Sequence, residues 1–113
     1  MSVIKNGRIK STHLGFEDHH IMTFFLHLEF DGAGQGFGGF GLDDGPGGTA
    51  FGMTAVRKVL EVVGVEKWED LPGKYVRAET DWTRIHRIGN IIEDNWLDLA
   101  ALSLEFRPLG EQP

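Results

Sequence analysis

Three kinds of side chain in this sequence could hold an anionic molecule that carries a flat ring. Arginines stand at Arg57, Arg77, Arg84, Arg87 and Arg107, aromatic rings at Phe37, Phe40 and Trp82, and an amide at Asn90. A guanidinium grips a phosphate through two parallel charge-assisted bonds, a ring stacks on a base, and an amide both donates and accepts. Each has an ordinary structural alternative. Arg57 lies four residues before Glu61, the spacing of a helix-surface ion pair. Arg77, Arg84 and Arg87 could be solvated strand residues beside Glu79 and Asp81, and Asn90 could bind backbone at a strand end. Trp82 is harder to assign to structure alone, because an exposed tryptophan usually covers something.

The histidines His13, His19, His20, His27 and His86 offer metal or acid–base chemistry. Glu17-Asp18-His19-His20 invites a metal, with His13 or His27 as a third ligand. Neighbouring strand residues face opposite ways, so the stretch reads as a turn and no metal is expected. No spacing singles out a base, a nucleophile and an orienting group, and the H-E-x-x-H, P-loop and zinc-deaminase patterns are missing. Neither a catalytic residue nor a cofactor is expected.

The chain has 113 residues, a net charge of −6, 41% hydrophobic residues and 11% aromatics. These values suit one globular domain, residues 1–113, with a single modest core. The acidic balance argues against a nucleic-acid coat, whose affinity comes from neutralising phosphates. Between Lys10 and Arg57 there is no lysine or arginine, and the arginines gather later. A few arginines in an acidic protein suit a small anion better than a polymer. Without cysteine, a membrane-length apolar run or a signal-peptide core, the simplest expectation is a cytoplasmic setting with no membrane partner.

The stretch that must position these groups runs from Gly32 to Gly52 and holds ten of the sixteen glycines. Backbone without Cβ admits a second chain or a flat ligand, and exposed N–H groups ahead of a helix can seat an anion. The alternative is a flexible loop, against which Phe37 and Phe40 count. Upstream, Asn6-Gly7 signals a hairpin or a bulge within one longer strand, and Ser11 to Phe16 is extended. Met22 to Phe30 alternates as a strand with Met22, Phe24, Leu26, Leu28 and Phe30 on one face. Asp31-Gly32 turns it into a strand over Gln35 to Leu42.

A helix is predicted over Met53 to Val63, capped by Thr49 or Thr54, with Val56, Val59, Leu60 and Val63 as its apolar stripe and Gly64 ending it. WEDLPG is a turn. Tyr75 to Glu79 and Ile85 to Ile92 are strands joined by a hairpin with Trp82 at its tip. Trp96 to Phe106 fits either a short helix or, over Ser103 to Phe106, an edge strand. The fold class that follows is α+β, a mostly antiparallel sheet packed with one main helix.

Ser11-Thr12 with Leu14-Gly15, then Glu17-Asp18-His19, GFGGFGLD, GTAFGM, VGVEKWEDLPGKYVRAE and IGNIIEDNW run in one order over most of the chain. In these stretches the sequence resembles the phage anti-Thoeris sponge proteins. The resemblance implies sequestration without catalysis, the ligand being a cyclic ADP-ribose-type signal made by bacterial TIR-domain enzymes. It also implies that some members hold small cyclic nucleotides as a second ligand class, and that the chain forms a dimer or higher homo-oligomer in an infected bacterial cell. Carried over position by position, the family's pocket would use Arg57, Trp82, Asn90 and Arg107. Arg84 and Phe37 join them as candidates from the residue reading.

Two other functions stay open on the sequence. One is a DNA-metabolism accessory module with an OB-like nucleic-acid-binding sheet, suggested by short strands, aromatics and LPGKYVR. The other is a small phosphodiesterase-like enzyme resting on His13, His19, His27 and His86.

Overall fold

The computed structural model describes residues 2–16, 21–42 and 50–106. They form an α+β fold whose single sheet is antiparallel throughout, with strand order β3-β2-β1-β4-β5-β6. β1 (Val3–Phe16) is the centre of it. Its first half pairs with β4 (Tyr75–Thr80) and its second half with β2 (Met22–Phe30), so one long strand carries both wings. Asn6 and Gly7 are in register with Arg77 and Val76, so the longer-strand alternative holds. The irregularity falls instead at Lys10, an extra residue between the pairs Ile9–Leu28 and Ser11–His27.

β2 returns through Asp31 and Gly32, both at positive φ (54° and 74°), into β3 (Ala33–Gly38). Such a two-residue turn matches the twist of the strands it joins. β3 ends four residues earlier than the alternation suggested. Gly38 has φ 128°, and a Cβ there would lie 2.2 Å from the Phe24 carbonyl oxygen. At this point the chain turns off the sheet edge, with Gly39 N–H bonded to that same oxygen at 2.8 Å.

Helix α1 (Phe51–Val63) starts without a side-chain cap, its N-cap being Ala50; Thr49 lies outside the described residues. Gly64 ends it in the left-handed conformation, as expected. The buried face is Phe51, Ala55, Val59 and Val62, while Val56, Leu60 and Val63 sit at its margin. The stripe is rotated from the predicted one because the helix enters earlier and buries Phe51.

After a 3₁₀ turn (Trp68–Asp70), the chain adds β4 and β5 (Ile85–Gly89). A two-residue β6 (Trp96–Leu97) and helix α2 (Leu99–Glu105) complete the described fold. Asp98 caps α2, its carboxylate accepting from Ala101 N at 3.0 Å, which decides the ambiguous Trp96–Phe106 segment in favour of helix. The core joins Ile9, Phe24, Leu26 and Leu28 of the first wing to Val76, Ala78 and Ile88 of the second, with Val59, Leu71 and Leu99 closing it. Among the described residues no helix is long and apolar enough to cross a membrane.

The sheet curls until β3 and β5 approach each other without laddering. At the end of β4 the Thr80 hydroxyl hydrogen-bonds the Gln35 side chain of β3 at 2.5 Å. This leaves a seam.

Candidate ligand site at the β3–β5 seam

The seam is shaped by a bulge in β5. Glu79 pairs with Arg87 and Thr80 with Ile85, so His86 is the extra residue. An inserted residue breaks the strict alternation of a strand and re-aims a side chain. His86 stands beside Arg84, two residues away on the same strand face, on the wall of a cleft of about 130 Å³, opposite Gly36, Phe37 and Phe40, with Leu99 and Ala100 of α2 beside them.

The β4–β5 turn holds this wall in place. The Asp81 carboxylate accepts from Thr83 N at 3.0 Å, from the Thr83 hydroxyl and from Arg84 N at 3.2 Å. Its second oxygen meets His86 Nε2 at 2.8 Å, and Arg84 Nε donates to His86 Nδ1 at 3.1 Å. The Thr83 hydroxyl and amide, followed by His86, hold the Asp81 carboxyl well below the usual carboxylate range. Glu79 is also lowered, first by the Arg87 guanidinium and then by Ser2, with Arg87 Nε at 2.6 Å from its carboxylate.

Of the residues singled out in the sequence, the cleft brings together Phe37, Phe40, Arg84 and His86. Phe37 is 3% exposed, so it acts mainly as core and contributes to the cleft wall. Trp82 sits on the same turn as Arg84 but does not line the cleft; it is 59% exposed, with φ 75° and the Lys5 ammonium of β1 5.5 Å from its ring centroid.

Asn90 and Arg57 stand elsewhere. Asn90 Nδ2 donates to the Val62 carbonyl at 2.8 Å, while its Oδ1 accepts from Ile92 N and Glu93 N, both at 2.9 Å. Of the two roles open on the sequence, the structure displays the strand-end one: Asn90 ends β5 after Gly89 and ties it to α1. Arg57 lies on the exposed side of α1, its side chain 79% exposed and its Nε 3.4 Å from Glu61. Arg107 and Glu17-Asp18-His19-His20 lie outside the described residues.

The pairing of His86 with Asp81 was not legible in the sequence. The D-W-T-R turn does carry a local signal, an aspartate two residues before a threonine, which favours a side-chain-to-backbone turn. The pairing of β4 with β5 brings His86 back to that aspartate.

A second depression of about 500 Å³ lies on the outer face, bordered by Lys10, His27, Glu29 and the glycines of β3. Gly34, Gly36 and Gly38 stand opposite Glu29, His27 and Phe25, so successive outward positions of β3 carry no side chain. Lys10 and Arg8 are both partnered there by Glu29, at 3.5 and 3.3 Å. The seam is the stronger candidate, because it places a guanidinium beside an apolar slot. Compared with family models, curated proteins and solved structures, the chain matches none.

Proposed function

We propose that the protein captures a cyclic ADP-ribose-type signalling molecule at the seam and releases it unchanged, acting as a stoichiometric sponge. The observation that carries this reading is the guanidinium of Arg84, held through its Nε at the edge of an apolar slot, with the exposed Trp82 ring on the same turn. That combination suits a ligand with phosphates at one end and a flat ring at the other. The sequence resemblance supplies the identity of the ligand.

The cleft volume bears on assembly. Sites for ligands of this size occupy roughly 300–1,000 Å³, and the cleft of one chain offers about 130 Å³. A sponge must bind at nanomolar levels, about −12 kcal/mol, which requires deep enclosure. In this reading a second copy of the chain supplies the missing walls, so the functional unit is a homodimer or larger. The same pocket would be the place to test small cyclic nucleotides as a second ligand class. The direct experiment incubates the protein with cyclic ADP-ribose, denatures it, and analyses the supernatant. Intact ligand in equimolar amount is expected; cleaved product in excess of protein would make this an enzyme.

One observation favours a second reading. Followed around the curl, the strands run β1-β2-β3-β5-β4 and back to β1, with α1 between β3 and β4. This is the layout of the OB-type, partly open Greek-key barrel, whose β2–β3 face binds oligonucleotides and oligosaccharides. Outward-facing Phe25 and His27 form a near-parallel ring pair on that face, 6.1 Å apart at 24°. A nucleic-acid accessory role would show single-strand binding that weakens steeply with salt. Binding of cyclic ADP-ribose alone would discard it.

A further inference from the structure

Arg84 Nε always carries its hydrogen, so the nitrogen it contacts at 3.1 Å, His86 Nδ1, must be the acceptor. His86 is therefore neutral while this bond is made, with its proton on Nε2, facing the Asp81 oxygen 2.8 Å away. Asp81 is in turn fixed by Thr83 and by Arg84 N. The chain of bonds runs in one direction only, from Arg84 Nε–H to His86 and from His86 Nε2–H to Asp81.

We propose that Asp81 and His86 are positioning residues that preset Arg84 for an anion: Asp81 selects the Nε2–H tautomer of His86, and His86 then holds the Arg84 guanidinium by its Nε. Among the described residues, Arg84 Nη1 and Nη2 make no hydrogen bond, which leaves the two-pronged end of the fork for a diphosphate. A guanidinium held by one edge loses less rotamer freedom on binding than a free one. The i, i+2 relation already places Arg84 and His86 on one strand face, but sequence spacing does not reveal that Asp81 folds back to fix the imidazole that holds the guanidinium. The inference rests on the seam being the anion site of the proposed function.

The relay and the ligand reading are tested separately. In ¹⁵N-labelled protein without ligand, His86 should show the imidazole shifts of the Nε2–H tautomer, and Arg84 Nε–H should give a protected resonance. His86→Gln keeps a group able to reach Asp81 but removes the acceptor at the Nδ1 position, so the Arg84 resonance should lose its protection. His86→Asn places its amide oxygen near the Nδ1 position and should keep that resonance. Asp81→Asn turns a donor toward Nε2, which should shift His86 to the Nδ1–H tautomer and evict Arg84. An Nδ1–H tautomer in the unmodified protein, or an Arg84 resonance unchanged in His86→Gln, overturns the relay.

Binding is then read with cyclic ADP-ribose and with inorganic pyrophosphate as a probe of the anion seat alone. His86→Gln should weaken both by roughly tenfold, the effect of one charge-assisted bond, and His86→Asn by clearly less. Equal affinities in the two variants would overturn the positioning role even with the relay intact. Pyrophosphate binding without cyclic ADP-ribose binding would leave the relay standing and remove the ligand reading. Binding of neither would remove the anion seat and the positioning role with it.

Discussion

Asn90 Nδ2 lies 2.8 Å from the carbonyl oxygen of Val62, joining the end of β5 to the last turn of α1 across 28 residues of sequence. The same side chain accepts from Ile92 N and Glu93 N, so the loop that follows β5 folds around it. Arg77 braces that loop from β4, donating to the Asn90 and Glu93 carbonyls at 2.7 Å each. Trp96 then lies flat on Gly89, where a Cβ would stand 2.6 Å from its ring, with the Arg77 and Arg87 guanidinium carbons 4.8 and 4.2 Å from the ring centroid.

Asn90→Ala should therefore cost stability. Three bonds from a half-buried amide to backbone are removed, and the loss should be about 2 kcal/mol by urea unfolding. A normal unfolding midpoint with impaired ligand binding would show that the amide serves the ligand instead of the helix–strand joint.

Trp82 is held at φ 75°, a conformation that costs a bulky residue roughly 1–2 kcal/mol and that asparagine tolerates better. Trp82→Asn should raise the unfolding midpoint slightly, offset in part by loss of the Lys5–ring contact. The same variant should release cyclic ADP-ribose faster, with less change in the capture rate. If both stability and release stay unchanged, the strain and the lid role are both wrong.

Gly38 and Gly36 separate steric need from openness. Gly38→Ala drives a Cβ into the Phe24 carbonyl at positive φ and should cost about 3 kcal/mol or prevent folding. Gly36→Ala meets the Phe25 ring edge, Cδ1 at 3.5 Å and Cε1 at 4.0 Å, ordinary contact, and should fold normally. Thermal melts of the two variants compare them directly. Equal losses would mean that β3 needs glycine for some reason other than the turn at its end.

The Asp81 carboxyl is held well below its unfolded value. In acid the unfolded chain therefore binds the additional proton first, and stability rises with pH in that range. The contribution is fully present above about pH 4, the unfolded aspartate value, and is lost as pH falls toward the lower folded one. Asp81→Asn should flatten the stability profile between roughly pH 2 and 5. Glu79, lowered by Arg87 and Ser2, supplies a second component with the same sign that the variant retains. A slope unchanged in Asp81→Asn would contradict the assigned hydrogen bonds.

What the sequence determined by itself was local. The alternation from Met22 to Phe30 names the buried face of β2 because side chains on a strand repeat every two residues. Asp31-Gly32 marks the first hairpin because few residue pairs accept positive φ at both positions. Gly64 marks the end of α1 for the same reason. The tertiary structure decided whatever depended on distant contacts. The glycine run was legible as unusual, yet the reason for Gly38 is a carbonyl on another strand. Asn90 could have faced a ligand or the backbone, and the choice lay with Val62, placed by a helix packed against the sheet. Phe37 became core once the sheet curled, while Trp82 stayed outside at the turn. His86 met Asp81 because β5 folds back along β4, and the register that brings the two side chains together exists only when the strands lie side by side.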